Sequence, residues 1–156
     1  MYKRQAGVEG TTKEEFDYDG IGRMTLARNW EGKTLITEST YKYNTLSLID
    51  EETQKVGVYP AATIKRKFDG EGRMIEISYP SGRVITYNHD DAGRINSIVE
   101  GATKICAYAY AGRRIASRSY ANGTKTLMSY DAVRRVVDIN HLDPAGNSMD
   151  RYRYDE

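Results

Sequence analysis

The stretch Phe68-Asp69-Gly70-Glu71-Gly72-Arg73-Met74 decides the fold, because close copies of it recur along the chain. Tyr18-Asp19-Gly20-Ile21-Gly22-Arg23-Met24 precedes it, and His89-Asp90-Asp91-Ala92-Gly93-Arg94-Ile95 follows it. Weaker copies begin at Tyr110 and Tyr130. The starts lie 20 to 25 residues apart, at positions 18, 43, 68, 89, 110, 130 and 154. Such a period is the signature of a repeat protein.

The pattern Asp-x-x-Gly predicts a tight turn in each copy. An Asp side chain accepts hydrogen bonds from backbone N–H groups two or three residues later, and Gly at the fourth position supplies a positive φ. Asp69 with Gly72 fits this pattern, as do the corresponding residues of the copies at 18 and 89. Arg134 stands where Gly is expected after Asp131. We therefore expect the turn there to differ or to be strained.

A second set of turn signals falls midway between the copies, so a turn is expected about every ten residues. These signals contain Gly32, Gly82, Gly101, Gly123 and Gly146. Between turns the side chains alternate with period two, which is typical of β-strands. Short strands joined by hairpins are therefore predicted, and no helix.

The motif Tyr-Asp-x-x-Gly-Arg-hydrophobic resembles the YD repeat of the RHS (rearrangement hot spot) family. That family includes bacterial RHS polymorphic toxins, the shells of insecticidal toxin complexes, and teneurins. The resemblance implies an all-β fold in which stacked β-hairpin YD repeats form a curved antiparallel sheet strip, as a segment of an RHS-type shell. The second copy, from Tyr43-Asn44-Thr45-Leu46-Ser47-Leu48, departs most, because it has no Gly-Arg.

Two regions are predicted along the chain. Residues 1–15 form an N-terminal lead-in segment, and residues 16–156 form the YD-repeat region, with about six full units and a truncated last one.

Composition excludes several classes of protein. The 23 Lys and Arg residues nearly balance the 22 Asp and Glu residues, which argues against nucleic acid as the main partner. The single cysteine excludes internal disulfides and cysteine-based zinc sites. No apolar run approaches the ~20 residues that span a bilayer. The first residues lack the apolar stretch of a signal peptide, so either the chain stays inside the cell or the segment lies elsewhere in a longer protein. The resemblance to the RHS family implies the second, with a secreted or cell-surface location as part of that longer protein.

No catalytic, cofactor-binding or metal site is predicted, and we expect the chain not to be an enzyme. His89 and His141 belong to no recognisable catalytic or metal motif. Cys106 is interpreted as a half-buried strand thiol. The sequence Asp17-Tyr18-Asp19-Gly20 lacks the remaining ligands of a calcium loop, so we interpret it as a turn cap.

The repeat-motif residues are predicted to be structural. The arginines after the turns either stack on tyrosines of neighbouring strands and bridge to the turn aspartates, or form a ladder for acidic or carbohydrate ligands. The structural role is favoured, since a residue repeated in every unit usually serves the repeat. The motif residues are Tyr18, Asp19, Gly22, Arg23, Phe68, Asp69, Gly72, Arg73, Asp90, Gly93, Arg94, Tyr110, Arg114, Tyr130, Asp131 and Arg135.

The tyrosines allow a second interpretation. Exposed tyrosine rings on a sheet can hold sugar rings, whereas cross-strand packing of the same rings is worth roughly 0.2–1 kcal/mol per pair. Packing is favoured, and the possible glycan contacts are Tyr41, Tyr43, Tyr87, Tyr108 and Tyr110.

Two functions follow from the sequence. The favoured one is a structural segment of the shell or stalk of a secreted RHS-like protein, serving toxin encapsulation or delivery. The alternative is a carbohydrate- or cell-surface-binding module with a tyrosine-rich face. The expected partners are further YD repeats of the same or another copy, through self-association at open sheet edges, and a glycan or cell-surface partner under the alternative.

Overall fold

A computed structural model describes residues 2–3, as strand backbone, and residues 13–154. Most of the predicted lead-in segment and the last two residues of the predicted repeat region lie outside these described residues. The described residues form strands and turns and no helix. They fall into two compact units, Met1–Arg83 and Val84–Glu156.

Unit 1 is an antiparallel meander in which each strand pairs with the next one along the chain. Its strands are β1 (Tyr2–Lys3), β2 (Lys13–Tyr18), β3 (Met24–Glu31), β4 (Thr34–Tyr43), β5 (Ile49–Val56), β6 (Ala62–Phe68) and β7 (Met74–Ser78).

Unit 2 repeats the arrangement, and again neighbours in sequence are neighbours in the sheet. Its strands are β8 (Val84–His89), β9 (Ile95–Glu100), β10 (Thr103–Ala111), β11 (Arg114–Tyr120), β12 (Lys125–Tyr130), β13 (Val136–Leu142) and β14 (Ser148–Arg153). The predicted all-β fold of antiparallel hairpins is confirmed.

Turns alternate between the two ends of each meander. We call the end that carries the Tyr-Asp motifs the motif end. Its turns are residues 19–23, 44–48 and 69–73 in unit 1, and 90–94, 112–113 and 131–135 in unit 2. The opposite end has turns 32–33, 57–61 and 79–83 in unit 1, and 101–102, 121–124 and 143–147 in unit 2.

A β-bulge precedes every motif-end turn and lies next to the motif aromatic or histidine. The register shifts between Asp17 and Tyr18, and between Ala109 and Tyr110, and at the matching position of the other copies. Past the bulge, Tyr18 opposes Met24 and Tyr110 opposes Ile115. Bulges re-aim side chains and increase strand twist. The motif aromatic is thereby placed opposite the hydrophobic residue near the far end of its own turn.

Little of either unit is fully buried. Among the described residues the buried hydrophobic side chains are Ile85 and Cys106, each 5% exposed, and the buried polar ones include Thr126. Most strand residues are half-buried by their neighbours in the sheet. Cross-strand pairs, each worth roughly 0.2–1 kcal/mol, therefore contribute to the stability of these sheets where a packed core would in a two-layer fold.

Candidate functional site

The Asp-x-x-Gly turns at the motif end share one hydrogen-bond pattern. In the first copy, Asp19 Oδ1 accepts the backbone N–H groups of Ile21 and Arg23, both at 3.0 Å. The backbone N–H of Asp19 donates to the carbonyl of Arg23 at 2.9 Å, and that of Gly22 donates to the carbonyl of Asp19 at 3.0 Å. The copies at Asp69 and Asp90 repeat these bonds. A single carboxylate oxygen thus holds the five-residue loop closed.

The second carboxylate oxygen binds the arginine of the same turn. Arg23 and Arg73 donate from Nε to Oδ2 of their turn aspartates at 2.6 Å, and Arg94 does so at 2.8 Å. Backbone N–H donation by the arginine, followed by its side-chain bond, lowers the pKa of Asp19 and of Asp69. For Asp90 the side-chain bond from Arg94 is the larger cause of its lowered pKa. The turn is therefore built around an ionised aspartate.

The turn of the second copy keeps this geometry with different residues. Asn44 takes the place of Asp, and its Oδ1 accepts the backbone N–H groups of Leu46 at 2.9 Å and Leu48 at 3.0 Å. Ser47 takes the place of Gly with φ 61°. Sequence reasoning placed a repeat start at Tyr43 but did not assign the type of this turn, although Asn is a known substitute for Asp in such loops.

Two of the sequence assignments change in the structure. The copy at Tyr110 closes with a two-residue turn, because Ala111 pairs directly with Arg114. The turn at the opposite end that begins with Asp143 is of the Asp-x-x-Gly type, and Asn147 occupies the arginine position. In each case the loop length, which the aromatic spacing does not fix, decides the turn.

Arginines of the motif stack on the tyrosine of the next hairpin. The guanidinium carbon of Arg23 lies 4.5 Å from the ring centre of Tyr43, and that of Arg94 lies 4.2 Å from the ring centre of Tyr110. Arg114 stacks on Tyr130 at 5.1 Å. We call these three pairs the arginine–tyrosine ladder. Each contact is of the cation–π type.

The ladder tyrosines also donate a hydrogen bond to the hairpin that supplies the arginine. The hydroxyl of Tyr43 donates to the carbonyl of Met24 at 2.7 Å, and that of Tyr110 donates to the carbonyl of Ile95 at 2.7 Å. Tyr130 donates likewise at 2.9 Å to Ile115. Each acceptor is the residue directly after the ladder arginine, so ring and hydroxyl together hold one hairpin against the next.

Two ladder arginines reach further, to the next motif-end turn. Arg23 donates from a terminal nitrogen to Ser47 Oγ at 3.1 Å, and Arg94 donates to the carbonyl of Gly112. Each of these arginines therefore binds its own turn, the next ring and the next turn. Where the arginine is replaced by Leu48, the aromatic of the following copy is Phe68, which has no hydroxyl.

The tyrosines considered for glycan contact are all half-buried. Tyr43 and Tyr110 are ladder residues, with one ring face under a guanidinium and the hydroxyl bonded. Burial, followed by a hydrogen bond with Cys106, raises the pKa of Tyr108. Tyr41 opposes Glu52, and Tyr87 opposes Ile98, within their sheets. The most exposed tyrosine rings include Tyr59, at 70%.

The two histidines and the cysteine, which were weighed as catalytic or metal-binding residues, do not form one cluster. His141 Nδ1 lies 3.0 Å from Thr126 Oγ1, and its ring meets that of Tyr152 edge-on with centroids 6.1 Å apart. His89 occupies the bulge position before the turn of Asp90. Cys106 is buried and free. In residues 13–154 no group of three or more His, Cys, Asp or Glu side chains is placed to hold a metal ion.

Comparison with known proteins identifies the same family that the sequence motif indicated. Residues 68–105 match the model of the RHS Repeat. The chain contains an RHS repeat. The predicted resemblance to the YD-repeat and RHS family is confirmed.

Solved structures that contain TccC3 share the fold. The crystal structure of TcdB2-TccC3 without its hypervariable C-terminal region matches with a TM-score of 0.69 and 12% identity, over 93% of this chain and 10% of that one. A Photorhabdus luminescens Tc holotoxin pore structure, with the TccC3 mutation D651A, matches with a TM-score of 0.66 and 12% identity, over the same shares.

Curated relatives include two proteins called WapA. The tRNA(Glu)-specific nuclease WapA of Bacillus subtilis subsp. natto is 23% identical over 99% of this chain and 6% of its own length. The tRNA3(Ser)-specific nuclease WapA of Bacillus spizizenii gives the same figures. The chain thus spans about one-sixteenth of these relatives. No helix in the described part of the chain is long and apolar enough to cross a membrane.

Proposed function

We propose that this chain is a wall segment of a larger RHS-type shell, in a secreted or surface-exposed protein that encloses or delivers a toxin. The RHS repeat and the shared fold support a structural segment of this kind. The ladder carries the proposal. The side chain of Arg94 bonds to Asp90, stacks on Tyr110 and donates to the carbonyl of Gly112, and all three partners lie within the repeat. Side chains committed in this way hold hairpins together.

In this proposal the segment contributes no catalysis. The turn aspartates Asp19, Asp69 and Asp90 cap their own turns, so these carboxylates serve the repeat. The nuclease activity in the relatives' names describes proteins of which this chain matches only 6%. We assign the role of the present segment to the enclosure and not to the reaction.

The glycan-binding alternative is not favoured. A sugar ring that stacks on tyrosine needs an open ring face, and the guanidiniums of Arg23 and Arg94 cover one face each of Tyr43 and Tyr110. Hydroxyl groups that are free to bind sugar would also be needed, and those of Tyr43 and Tyr110 donate to the backbone.

Substitution of a ladder tyrosine separates the two functions. Tyr110→Phe and Tyr43→Phe remove only the hydroxyl, so a scaffold role predicts a loss of roughly 1 kcal/mol in the free energy of unfolding for each. Tyr18→Phe is the matched control, because Tyr18 is 50% exposed and precedes the same kind of turn. It should leave the free energy of unfolding unchanged.

The measurements are urea denaturation of the four proteins and titration of each on a glycan array. Loss of stability at positions 43 and 110, without saturable glycan binding by the parent chain, supports the wall segment. Saturable sugar binding that disappears in the Tyr→Phe variants, at unchanged stability, contradicts it.

A further inference from the structure

Unit 2 carries doubled arginines at two neighbouring motif-end turns. The dipeptide Arg-Arg occurs twice in the chain, at 113–114 and at 134–135. In the regular turns the residue before the motif arginine is Gly, as at Gly72 and Gly93. The repeat uses Arg114 and Arg135, since Arg114 stacks on Tyr130 and Arg135 bonds to Asp131. Arg113 and Arg134 are additional to the repeat.

These arginines surround a concavity. A cavity of about 300 Å³ is lined by Ala111, Gly112, Arg113, Arg114, Tyr130 and Arg134. All three arginines are exposed, and within residues 13–154 none of the three forms an ion pair. The volume lies at the lower end of the range for small-ligand pockets, which begins at about 300 Å³. The site therefore offers three uncompensated positive charges around an aromatic ring.

Arg134 is held in a conformation that its residue type disfavours. Its φ is 74°, in the left-handed region that Gly72 and Gly93 occupy at φ 79° and 74° in the equivalent turns. A non-glycine residue at such an angle is strained, and retained strain is typical of functional positions. A purely structural turn would be better served by glycine at this position.

We propose that this cavity, formed by Arg113, Arg114 and Arg134 beside Tyr130, is a binding site for a phosphate group of a small ligand. Arginine is the preferred side chain for phosphate, because its planar fork donates two parallel hydrogen bonds to two oxygens. This site is separate from the contacts that support the wall role, apart from the shared pair Arg114 and Tyr130.

The charge balance favours phosphate over carboxylate. The motif-end turn carboxylates of Asp19, Asp69, Asp90 and Asp131 each pair with the arginine of their own turn. Three unpaired arginines exceed what one carboxylate neutralises. A phosphate monoester carries about −1.5 to −2 charges at pH 7 and presents three acceptor oxygens, which suits three guanidinium groups.

Calorimetric titration at low ionic strength tests the site, with pyrophosphate as the probe and malonate as a dicarboxylate comparison. The parent chain should bind one pyrophosphate saturably and malonate at least about tenfold more weakly, and added salt should weaken the binding. Arg134→Gly should weaken pyrophosphate binding about tenfold or more, as expected for a lost charge-assisted contact. The same variant should raise the thermal midpoint, because glycine relieves the φ of 74°.

Ser47→Gly is the matched control. Ser47 is the other described non-glycine residue with positive φ, at 61°, in a motif-end turn of unit 1. It should leave pyrophosphate binding unchanged, and its gain in thermal midpoint should be the smaller one, because the substitution also removes the Ser47 Oγ that accepts a hydrogen bond from Arg23. Arg113→Gln should weaken binding without a gain in stability. The proposal is overturned if the parent chain shows no saturable binding, if malonate binds as tightly as pyrophosphate, or if Arg134→Gly and Arg113→Gln bind like the parent.

Discussion

Gly82 and Gly123 have the same backbone angle and different surroundings. Both have φ 84°, in turns at the opposite end of their units. A Cβ added at Gly82 would meet nothing within 4 Å, whereas one added at Gly123 would lie 2.9 Å from Cβ of Pro144. Glycine at 82 is required only by the positive φ of the backbone. Glycine at 123 is required by the same φ and also by the close approach of Pro144 in the turn at 143–147.

This pair predicts two different costs of substitution. Gly82→Ala should destabilise the fold by roughly 1–2 kcal/mol, the cost of placing a Cβ residue in the left-handed region. Gly123→Ala should cost more by about another 1 kcal/mol or above, since overpacking against a rigid proline ring adds to the backbone term. Urea denaturation measures both free energies. Equal losses would mean that Pro144 yields to the added methyl group.

At the level of single residues, the sequence predicts turns that carry the Asp, Gly and Arg of the motif better than turns in which other residues take those positions. Asp19, Asp69 and Asp90 were identifiable because Asp, Gly and Arg stand at fixed spacing. The Asn44 turn was not, because its Leu48 and Ser47 differ from the motif, and Asn acts through the same side-chain oxygen as Asp. The turn needs a side-chain oxygen that accepts backbone N–H groups, and both Asp and Asn supply one.

At the scale of elements, each motif-end hairpin combines a bulge, a capped turn and an arginine that reaches the next hairpin. The bulge places Tyr110 opposite Ile115 and within reach of Arg94. Alternation of side chains predicted the strands, since it depends only on the pleat. The bulges could not be predicted in this way, because an extra residue in one strand leaves the spacing of the motifs almost unchanged.

The capped turns predict acid-sensitive stability. The pKa values of Asp19, Asp69 and Asp90 are lowered in the folded chain. Because the unfolded carboxylate titrates near ~3.9, the stabilisation is fully present above that pH and is lost as the pH falls through the lower folded pKa values. The free energy of unfolding from urea titrations should be nearly constant from pH 7 to 5, as far as these groups are concerned, and should fall below about pH 4.

Asp69→Asn is the control for this effect. Asparagine keeps the acceptor oxygen, as Asn44 shows in its own turn, and it removes the titrating charge. The variant should be less stable at pH 7 and should depend less steeply on pH below 4. If its stability follows the same pH curve as the parent, the turn aspartates are not the titrating groups.

At the scale of the whole molecule, the sheets leave backbone groups and apolar side chains accessible. In the described residues β14 pairs only with β13, and all six of its residues are exposed. The turn at 57–61 presents Val58, 95% exposed, and Tyr59, 70% exposed. Sequence periodicity did not indicate this apolar turn, because it interrupts the alternation without a motif residue. Both features favour contact with another chain.

We therefore expect the chain to self-associate as its concentration rises. Unpaired N–H and C=O groups along an edge strand can pair with a second copy, and an exposed apolar turn gains from burial. Multi-angle light scattering over a concentration series should show an apparent mass that increases from the monomer value of 17.7 kDa. A constant monomer mass at every concentration would contradict open-edge pairing.

Hydrogen exchange of an Arg94→Met variant tests most directly whether the ladder makes the repeats one scaffold. Arg94 belongs to the hairpin of β8 and β9, and it contacts Tyr110 and Gly112 of the hairpin of β10 and β11. Loss of these contacts should reduce amide protection in both hairpins, as measured by mass spectrometry of peptides covering residues 84–120. Protection lost in residues 84–100 alone, with 103–120 unchanged, would show that neighbouring hairpins are independent and would contradict the scaffold role.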